Sequence, residues 1–322
     1  MTQAVEIRGD GVSAYCCAHL LSKAGLAVQL QPLQRPRVPA LLLSYCALAL
    51  MRDIFGQPRL FESLPVIERR RVAWERDQQP VEVEHRAVVV SEQQLLDALA
   101  PQFPTAAIQP DWTIHAAPPL PGASESTFGS RTGTSWRVEL RRESMPNTCT
   151  MESLPRGWLF LLPAEPGYGW LLAVGDLGPD PLASSKVVSR EVLWLLEHSQ
   201  PFRVAPRIAS PLAGPGWLAC GTAAMTFDPI CGDGVAQAIR EAILAAAVVR
   251  AALKGEPMRA LIEHYESRMR AGFARHLELL RAFYSNGYGG VWWDAQVPAS
   301  TMPSVKPFHY RLQGLDLEAV AP

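Results

Sequence analysis

The chain predicts an α/β fold, a three-layer domain around a parallel sheet with an antiparallel sheet inserted into it. Three observations predict this. Residues 1–31 read strand, helix, strand, with a glycine-rich turn at the first junction. A second glycine-rich turn sits at another strand-to-helix junction, within 216–253. Between the two, apolar and polar residues alternate in strands with few helical segments among them.

The elements follow in order. Val5 to Arg8 is a strand, and Val12 to Ala24 a helix of small and apolar residues closed by Gly25. Ala27 to Leu30 completes a βαβ unit, which commits the first sheet to parallel pairing. Pro36 and Pro39 break the chain, and Ala40 to Phe55 reads as a helix that stops at Gly56. Val66 to Trp74 and Val81 to Val90 are rich in β-branched residues and read as paired strands. Ser91, ahead of Glu92, Gln93 and Gln94, caps a helix running to Leu99. Proline is dense from Pro101 to Gly122, which predicts loops and edge strands.

Trp136 to Arg142, Gly157 to Leu162 and Gly169 to Val174 read as an antiparallel sheet. A helix is expected near Ser189 to Leu196. Strand Gly216 to Cys220 then returns to the first domain, before long helices at Gly234 to Leu253 and Pro257 to Tyr284. The expected division is a dinucleotide domain from 1–100 and 205–285, a substrate layer from 101–204, and a C-terminal segment from 286–322.

Composition excludes several classes. With 30 basic and 31 acidic residues the net charge is -1, which argues against a nucleic-acid partner. The short run Arg69-Arg70-Arg71 reads as a solvated face. Met1 to Gly11 contains charges and no apolar core, so no signal peptide is expected. The apolar runs Ala40 to Met51 and Ala242 to Leu253 are too short to span a bilayer, so no membrane association is expected. Six cysteines form no CxxC pair and have no histidine at metal spacing, which points to a reduced cytoplasm and no metal. HExxH, Walker and EF-hand patterns are absent.

The chemistry is concentrated in the two turns. A dinucleotide pyrophosphate needs backbone N–H groups at a helix start and no side chain in the way. In Gly9-Asp10-Gly11-Val12-Ser13-Ala14, Gly9 permits the turn, Gly11 admits the phosphate, and Ala14 is small enough for helix-to-strand packing. Gln31 stands at the end of the second strand, where a carboxylate would bind ribose hydroxyls more strongly. Arg35 and Arg37 follow, as they would near a 2′-phosphate or in a surface loop. A βαβ unit without ligand is the alternative reading of this segment.

The second turn carries a resemblance. Gly216-Trp217-Leu218-Ala219-Cys220-Gly221-Thr222-Ala223-Ala224, followed by Asp228-Pro229-Ile230-Cys231-Gly232-Asp233-Gly234 and Val235, resembles the second FAD fingerprint of the flavin monooxygenase superfamily. That superfamily spans para-hydroxybenzoate hydroxylase-like enzymes, geranylgeranyl reductases, tryptophan halogenases and quinone-cofactor-maturation hydroxylases. The resemblance implies a Rossmann-like FAD-binding domain with an inserted substrate sheet. It implies that the residue at Thr222 binds the ribityl chain, where the family carries aspartate. It also implies that Asp228, Pro229, Gly232, Asp233, Gly234 and Val235 pass the isoalloxazine ring. The helix that follows would aim its positive end at the ring and favour its anionic reduced form.

Further segments agree. His85-Arg86 to Leu95-Leu96 resembles the stretch on the adenine side, which makes Arg86 a cofactor candidate. Tyr265 to Tyr284 resembles the C-terminal helix of the halogenase-like branch. Trp158-Leu159-Phe160-Leu161-Leu162-Pro163 resembles the halogenase WxWxIP strand but lacks its second tryptophan. No lysine aligns with the halogenase one, so halogenation is not expected.

The expected function is an FAD-dependent monooxygenase that hydroxylates an aromatic small molecule or a peptide-borne aromatic group. NAD(P)H is the expected electron donor, directly or through a separate flavin reductase; a substrate protein is the other expected partner. Two alternatives stay open: a cofactor-free binding protein, favoured by Gln31 and Thr222, and an isoprenoid-type flavin reductase. Arg86, His115 and Asp228 are acid, base or electrostatic candidates, against blander readings as surface charge, loop polarity and turn formation. His264 and His276 read as packing histidines. Trp292-Trp293, after Gly287, Gly289 and Gly290, form either a lid or the closing edge of a core.

Overall fold

The computed structural model describes residues 3–33, 36–76, 79–100 and 109–298. Among these, the strands form sheets of five, nine and three members. The α/β class is as expected.

The five-stranded sheet runs Ala213–Gly214, Trp217–Ala219, Trp112–His115, Ala4–Arg8, Ala27–Gln31. Trp112–His115 is its centre, and Ala4–Arg8 beside it is parallel both to Trp112–His115 and to the edge strand Ala27–Gln31. Trp217–Ala219 joins parallel to Trp112–His115, so both glycine turns leave this one sheet. Helices Val12–Lys23 and Gly234–Leu253 pack together over it. Their contact faces are built from Ala14, Cys17, Ala18, Leu21, Ala242, Ala245 and Ala246, all buried. Small side chains let the two helix axes come close.

Eight strands of the nine-stranded sheet follow the path Val192–His198, Thr132–Leu140, Tyr168–Gly175, Gly157–Glu165, Thr148–Leu154, Val66–Ala73, Val81–Val90, Leu41–Ser44, and the ninth, Phe202–Arg203, also pairs with Thr132–Leu140. Its antiparallel middle is as expected, and Val66–Ala73 pairs antiparallel with Val81–Val90. Ser91 caps Glu92–Leu99 in a full capping box with Gln94.

Three local expectations are corrected. Leu41–Ser44 is a strand, not the first turn of a helix, because Leu41 to Ser44 pair with Ala87 to Val90. Ser44 Oγ then accepts from Ala47 N–H and starts the helix Tyr45–Phe55. Val192–His198 is an edge strand, recruited by Thr132–Leu140, and only Val188–Arg190 before it is helical. Trp112–His115 falls in the proline-dense stretch yet is an inner strand, bonded on both sides; 101–108 lie outside the described residues.

Thr148–Leu154 is a strand not expected from the sequence, because polar residues disguise it. All seven of its residues are buried. Glu152 is accommodated because the N–H groups of Lys186, Val187 and Val188 all donate to its carboxylate, at 2.6, 3.0 and 2.9 Å, together with the Ser185 hydroxyl. A buried carboxylate needs such partners.

Candidate functional site

The two glycine turns touch. Gly9 adopts φ +138°, and a Cβ there would come within 3.0 Å of the Ala117 nitrogen. Gly221 adopts φ +55°, and a Cβ there would meet Ser13 Oγ at 2.8 Å and the Ala116 carbonyl at 3.0 Å. Ser13 Oγ donates to the Ala238 carbonyl on the second long helix. Glycine at 9 and 221 is therefore required by close backbone approach as well as by the left-handed conformation. Val12 and Ala14 are buried in the same junction.

The first turn opens onto a long helix, and the second, by way of the short helix Gly221–Ala224, leads to another; neither long helix has a side-chain cap at its N-terminus. Val12–Lys23 follows Gly11, and Gly234–Leu253 follows Asp233; neither has an acidic residue in its first turn. The Asp233 side chain pairs with Arg240, two turns along the same helix, rather than capping the helix start. Two N-termini with N–H groups and a partial positive charge thus flank one junction.

Charged residues surround the first N-terminus. Asp10 is buried, and its Oδ2 lies 2.6 Å from Arg37 Nη2. Arg37 Nη1 is buried with no hydrogen-bond partner among the described residues. Gln31 Nε2 donates to Glu6 Oε1 at 2.5 Å, and Glu6 also accepts from Arg8. Thr222 Oγ1 donates to the Ala116 carbonyl at 3.4 Å. The N–H of Gly221 donates to Glu241 Oε2 at 2.7 Å; burial pushes that carboxyl up to about 8.

Asp228 points the other way, into the core. Arg131 Nε donates to its Oδ2 at 2.7 Å, Tyr284 OH donates to the same oxygen at 3.0 Å, and Ile230 N–H donates to Oδ1. Trp158 Nε1 donates to Tyr284 OH, and the Asp228 N–H donates to His276 Nε2. Arg131 and Asp228 have no side-chain exposure. His276 is therefore a neutral acceptor, lowered to about 4 by burial and by the Arg131 charge. The geometry gives Asp228 a turn-forming and core role: it opens the Pro229–Cys231 turn and delivers Gly232, itself left-handed.

The remaining candidates separate. His115 is buried at the end of its strand, edge-on to Trp217, with its pKa lowered by burial and then by Arg8. His264 is half-buried on helix Met258–Ser285. Arg86 is exposed on Val81–Val90, outside the contacts that join the two turns. Trp293 is a core residue: it is fully buried, donates to the Leu154 carbonyl at 2.8 Å and packs edge-on against Trp74. Arg35 lies outside the described residues.

One expectation is overturned within the arginine run. Arg69 is exposed and Arg71 half-buried; both pair with Glu82, and Arg71 also lies 3.6 Å from Glu191. Strand alternation turns Arg70 to the opposite side. There its Nη2 contacts His85 Nε2 at 3.1 Å, and it lies 3.4 Å from where a Gly232 Cβ would sit. It could have been found by noting that a run of three on a strand cannot face one way.

No protein-family model and no curated protein sequence matches the chain. Solved structures do. A peptidyl tryptophan dihydroxylase, QhpG, described as essential for tryptophylquinone cofactor biogenesis, is 19% identical with a TM-score of 0.74, over 95% of this chain and 81% of that one. The flavin-dependent halogenase CmlS is 17% identical with a TM-score of 0.77, over 93% and 68%. The p-nitrophenol 4-monooxygenase PnpA from Pseudomonas putida is 12% identical with a TM-score of 0.68, over 85% and 86%. The chain has the fold of the FAD-dependent monooxygenases and halogenases.

Whether FAD suits this flavoprotein fold depends on the residues themselves. They fit at two ends. The uncapped helix start at Gly11, beside the orphaned Arg37 Nη1, suits a pyrophosphate, and the uncapped start at Gly234, after left-handed Gly232, suits the ring. At the ribose end, Gln31 is engaged by Glu6, and Asp10 brings a negative charge into the phosphate loop. No helix among the described residues is long and apolar enough to cross a membrane, and no group of three or more metal-ligating side chains occurs among them.

Proposed function

We propose that the protein is an FAD-dependent oxidoreductase, a monooxygenase that hydroxylates an aromatic small molecule or an aromatic side chain of a peptide. The observation that carries this reading is the pair of uncapped helix N-termini at touching glycine turns, with Arg37 Nη1 orphaned beside the first. The backbone of Gly9, Gly11, Val12 and Ser13, with Arg37, would hold the phosphates. Gln31 and Thr222 would face the sugar portions, and Gly232, Asp233, Gly234 and Val235 the ring. FAD, when bound, supplies the redox chemistry that activates oxygen, with electrons from NAD(P)H or a separate reductase.

The chain's own residues then bind, orient and exclude water. The Gly234 helix start favours negative charge next to Gly232. Phe160 and Met151 bring apolar surface from the nine-stranded sheet toward the first domain. QhpG and PnpA carry names that describe aromatic substrates, which supports an aromatic class here.

The test is an absorbance spectrum of the purified chain before and after soaking with FAD and desalting. Retained bands near ~375 and ~450 nm, those of an oxidised flavin, are expected. A protein that stays colourless after soaking removes the enzyme reading. A second reading, a cofactor-free binding protein, is favoured by Asp10, whose carboxylate opposes a pyrophosphate. Asp10→Ala is therefore expected to tighten FAD uptake about tenfold or more, since a like charge a few ångströms away costs on the order of 1–4 kcal/mol. Equal or weaker uptake by the variant would instead make Asp10 a ligand-holding residue.

A further inference from the structure

Among the described residues Arg70 is a cation with no acidic side chain paired to it. No salt bridge reaches it among the described residues, whereas both flanking arginines are paired with Glu82. Its Nε is buried with no hydrogen-bond partner among those residues. Its recorded neighbours are neutral: His85 through Nη2, the Phe160 ring with its centroid 6.0 Å from the guanidinium carbon, and the Cys149 thiol. An arginine only donates, so His85 Nε2 accepts and that ring carries its proton on Nδ1. Burial, and then the Arg70 charge, hold His85 down at about 4, so it adds no charge of its own at neutral pH. A buried donor left unmade costs free energy and calls for an acceptor.

The surroundings say which acceptor. Arg70 Nη2 lies 3.4 Å from where a Gly232 Cβ would sit, so glycine keeps a side chain off the guanidinium, and Gly232 stands just ahead of the uncapped start of helix Gly234–Leu253. Guanidinium and helix start both favour an anion at the same place. One cation with one orphaned N–H matches a single negative charge rather than a phosphate dianion. Phe160 offers a flat apolar surface alongside it.

We propose that Arg70, positioned by His85 and flanked by Phe160, binds the carboxylate of an aromatic acid between the nine-stranded sheet and the Gly232 turn. This names the substrate class for the site. The aromatic part rests on the function proposed above; the carboxylate part rests on Arg70 alone.

The test is calorimetric titration of the full-length protein, free of FAD, with benzoate and with its neutral isostere benzamide. The wild type is expected to bind benzoate saturably and benzamide at least tenfold more weakly. Arg70→Gln is expected to lose at least tenfold in benzoate affinity, and Arg70→Lys to recover part of it. Arg69→Gln, on the solvent side, is expected to bind as the wild type does. Equal affinity for benzoate and benzamide in the wild type overturns the proposal even if the Arg70 variants fail to fold. So does unchanged benzoate binding in a folded Arg70→Gln.

Repeating the titration after an FAD soak separates the two readings. Benzoate binding by a protein that takes up no FAD supports the acid site and removes the flavoenzyme. FAD uptake that abolishes benzoate binding assigns Arg70 to the cofactor and overturns the acid site.

Discussion

Arg131→Met is expected to destabilise the protein by about 3–5 kcal/mol, because it leaves the Asp228 carboxylate buried without its countercharge. The pair has no exposure on either side, and Arg131 makes further bonds to the Gln296 carbonyl, to Gln296 Oε1 and to the Phe128 carbonyl. Its guanidinium also lies 4.4 Å from the Tyr284 ring centroid. Burial already raises the Asp228 pKa, and the Arg131 charge is the largest influence opposing it. Without Arg131 the carboxyl rises further and takes up a proton in the folded state. The variant should therefore be relatively more stable at pH 5 than at pH 8, the reverse of an ordinary ion-paired aspartate.

Urea unfolding of Arg131→Met, Asp228→Asn and the double variant gives the coupling directly. The double variant is expected to recover much of the loss, since no buried charge remains. A single variant within about 0.5 kcal/mol of the wild type, the range of ordinary surface changes, would mean that the network carries no structural weight. Because Asp228 also opens the turn that presents Gly232, the same variants are expected to weaken any ligand held there.

What could be seen in the sequence was whatever is local. The βαβ start, the Ser91 capping box and both glycine turns depend on residues a few positions apart, and each is present as expected. The errors share one cause: a distant partner decided the conformation. Leu41 to Ser44 have helical neighbours but are held extended by Ala87 to Val90. Leu193 to Leu196 are good helix formers, yet Thr132–Leu140 recruits them as an edge strand. The same holds for the site. Nothing near Asp228 in the chain announces Arg131 or Tyr284, and nothing near Gly232 announces Arg70; a residue just ahead of strand Thr132–Leu140, the helix Met258–Ser285 and the strand Val66–Ala73, all distant in sequence, bring them in.

Glu241 is the second such residue, and its removal has the opposite sign. It lies on helix Gly234–Leu253, fully buried, and reaches back to accept the Gly221 N–H at 2.7 Å and a bond from Gln237 at 3.3 Å. Among the described residues Cys17 and Tyr265 are packed near it, Cys17 held neutral by its contact with Cys220 and by burial, Tyr265 by burial and then by Cys220. No cation among the described residues offsets the carboxylate, and burial lifts its pKa from 4.5 to about 8 despite the two hydrogen bonds. In the unfolded chain the group ionises near 4.5, while in the folded chain it keeps its proton. Between those two values the unfolded state binds fewer protons, so stability falls as pH rises, by up to ~1.4 kcal/mol per pH unit, and levels off above the folded value.

Glu241→Gln keeps an oxygen for the Gly221 N–H and removes the titration. The variant is expected to match the wild type near pH 5 and to exceed it by on the order of 3–5 kcal/mol at pH 8. Urea midpoints at pH 5, 6.5 and 8 decide it: parallel pH slopes for the two proteins would show that Glu241 does not titrate between these values. A rising gap between them would tie the left-handed Gly221, and the turn it forms against Ser13, to a single buried proton.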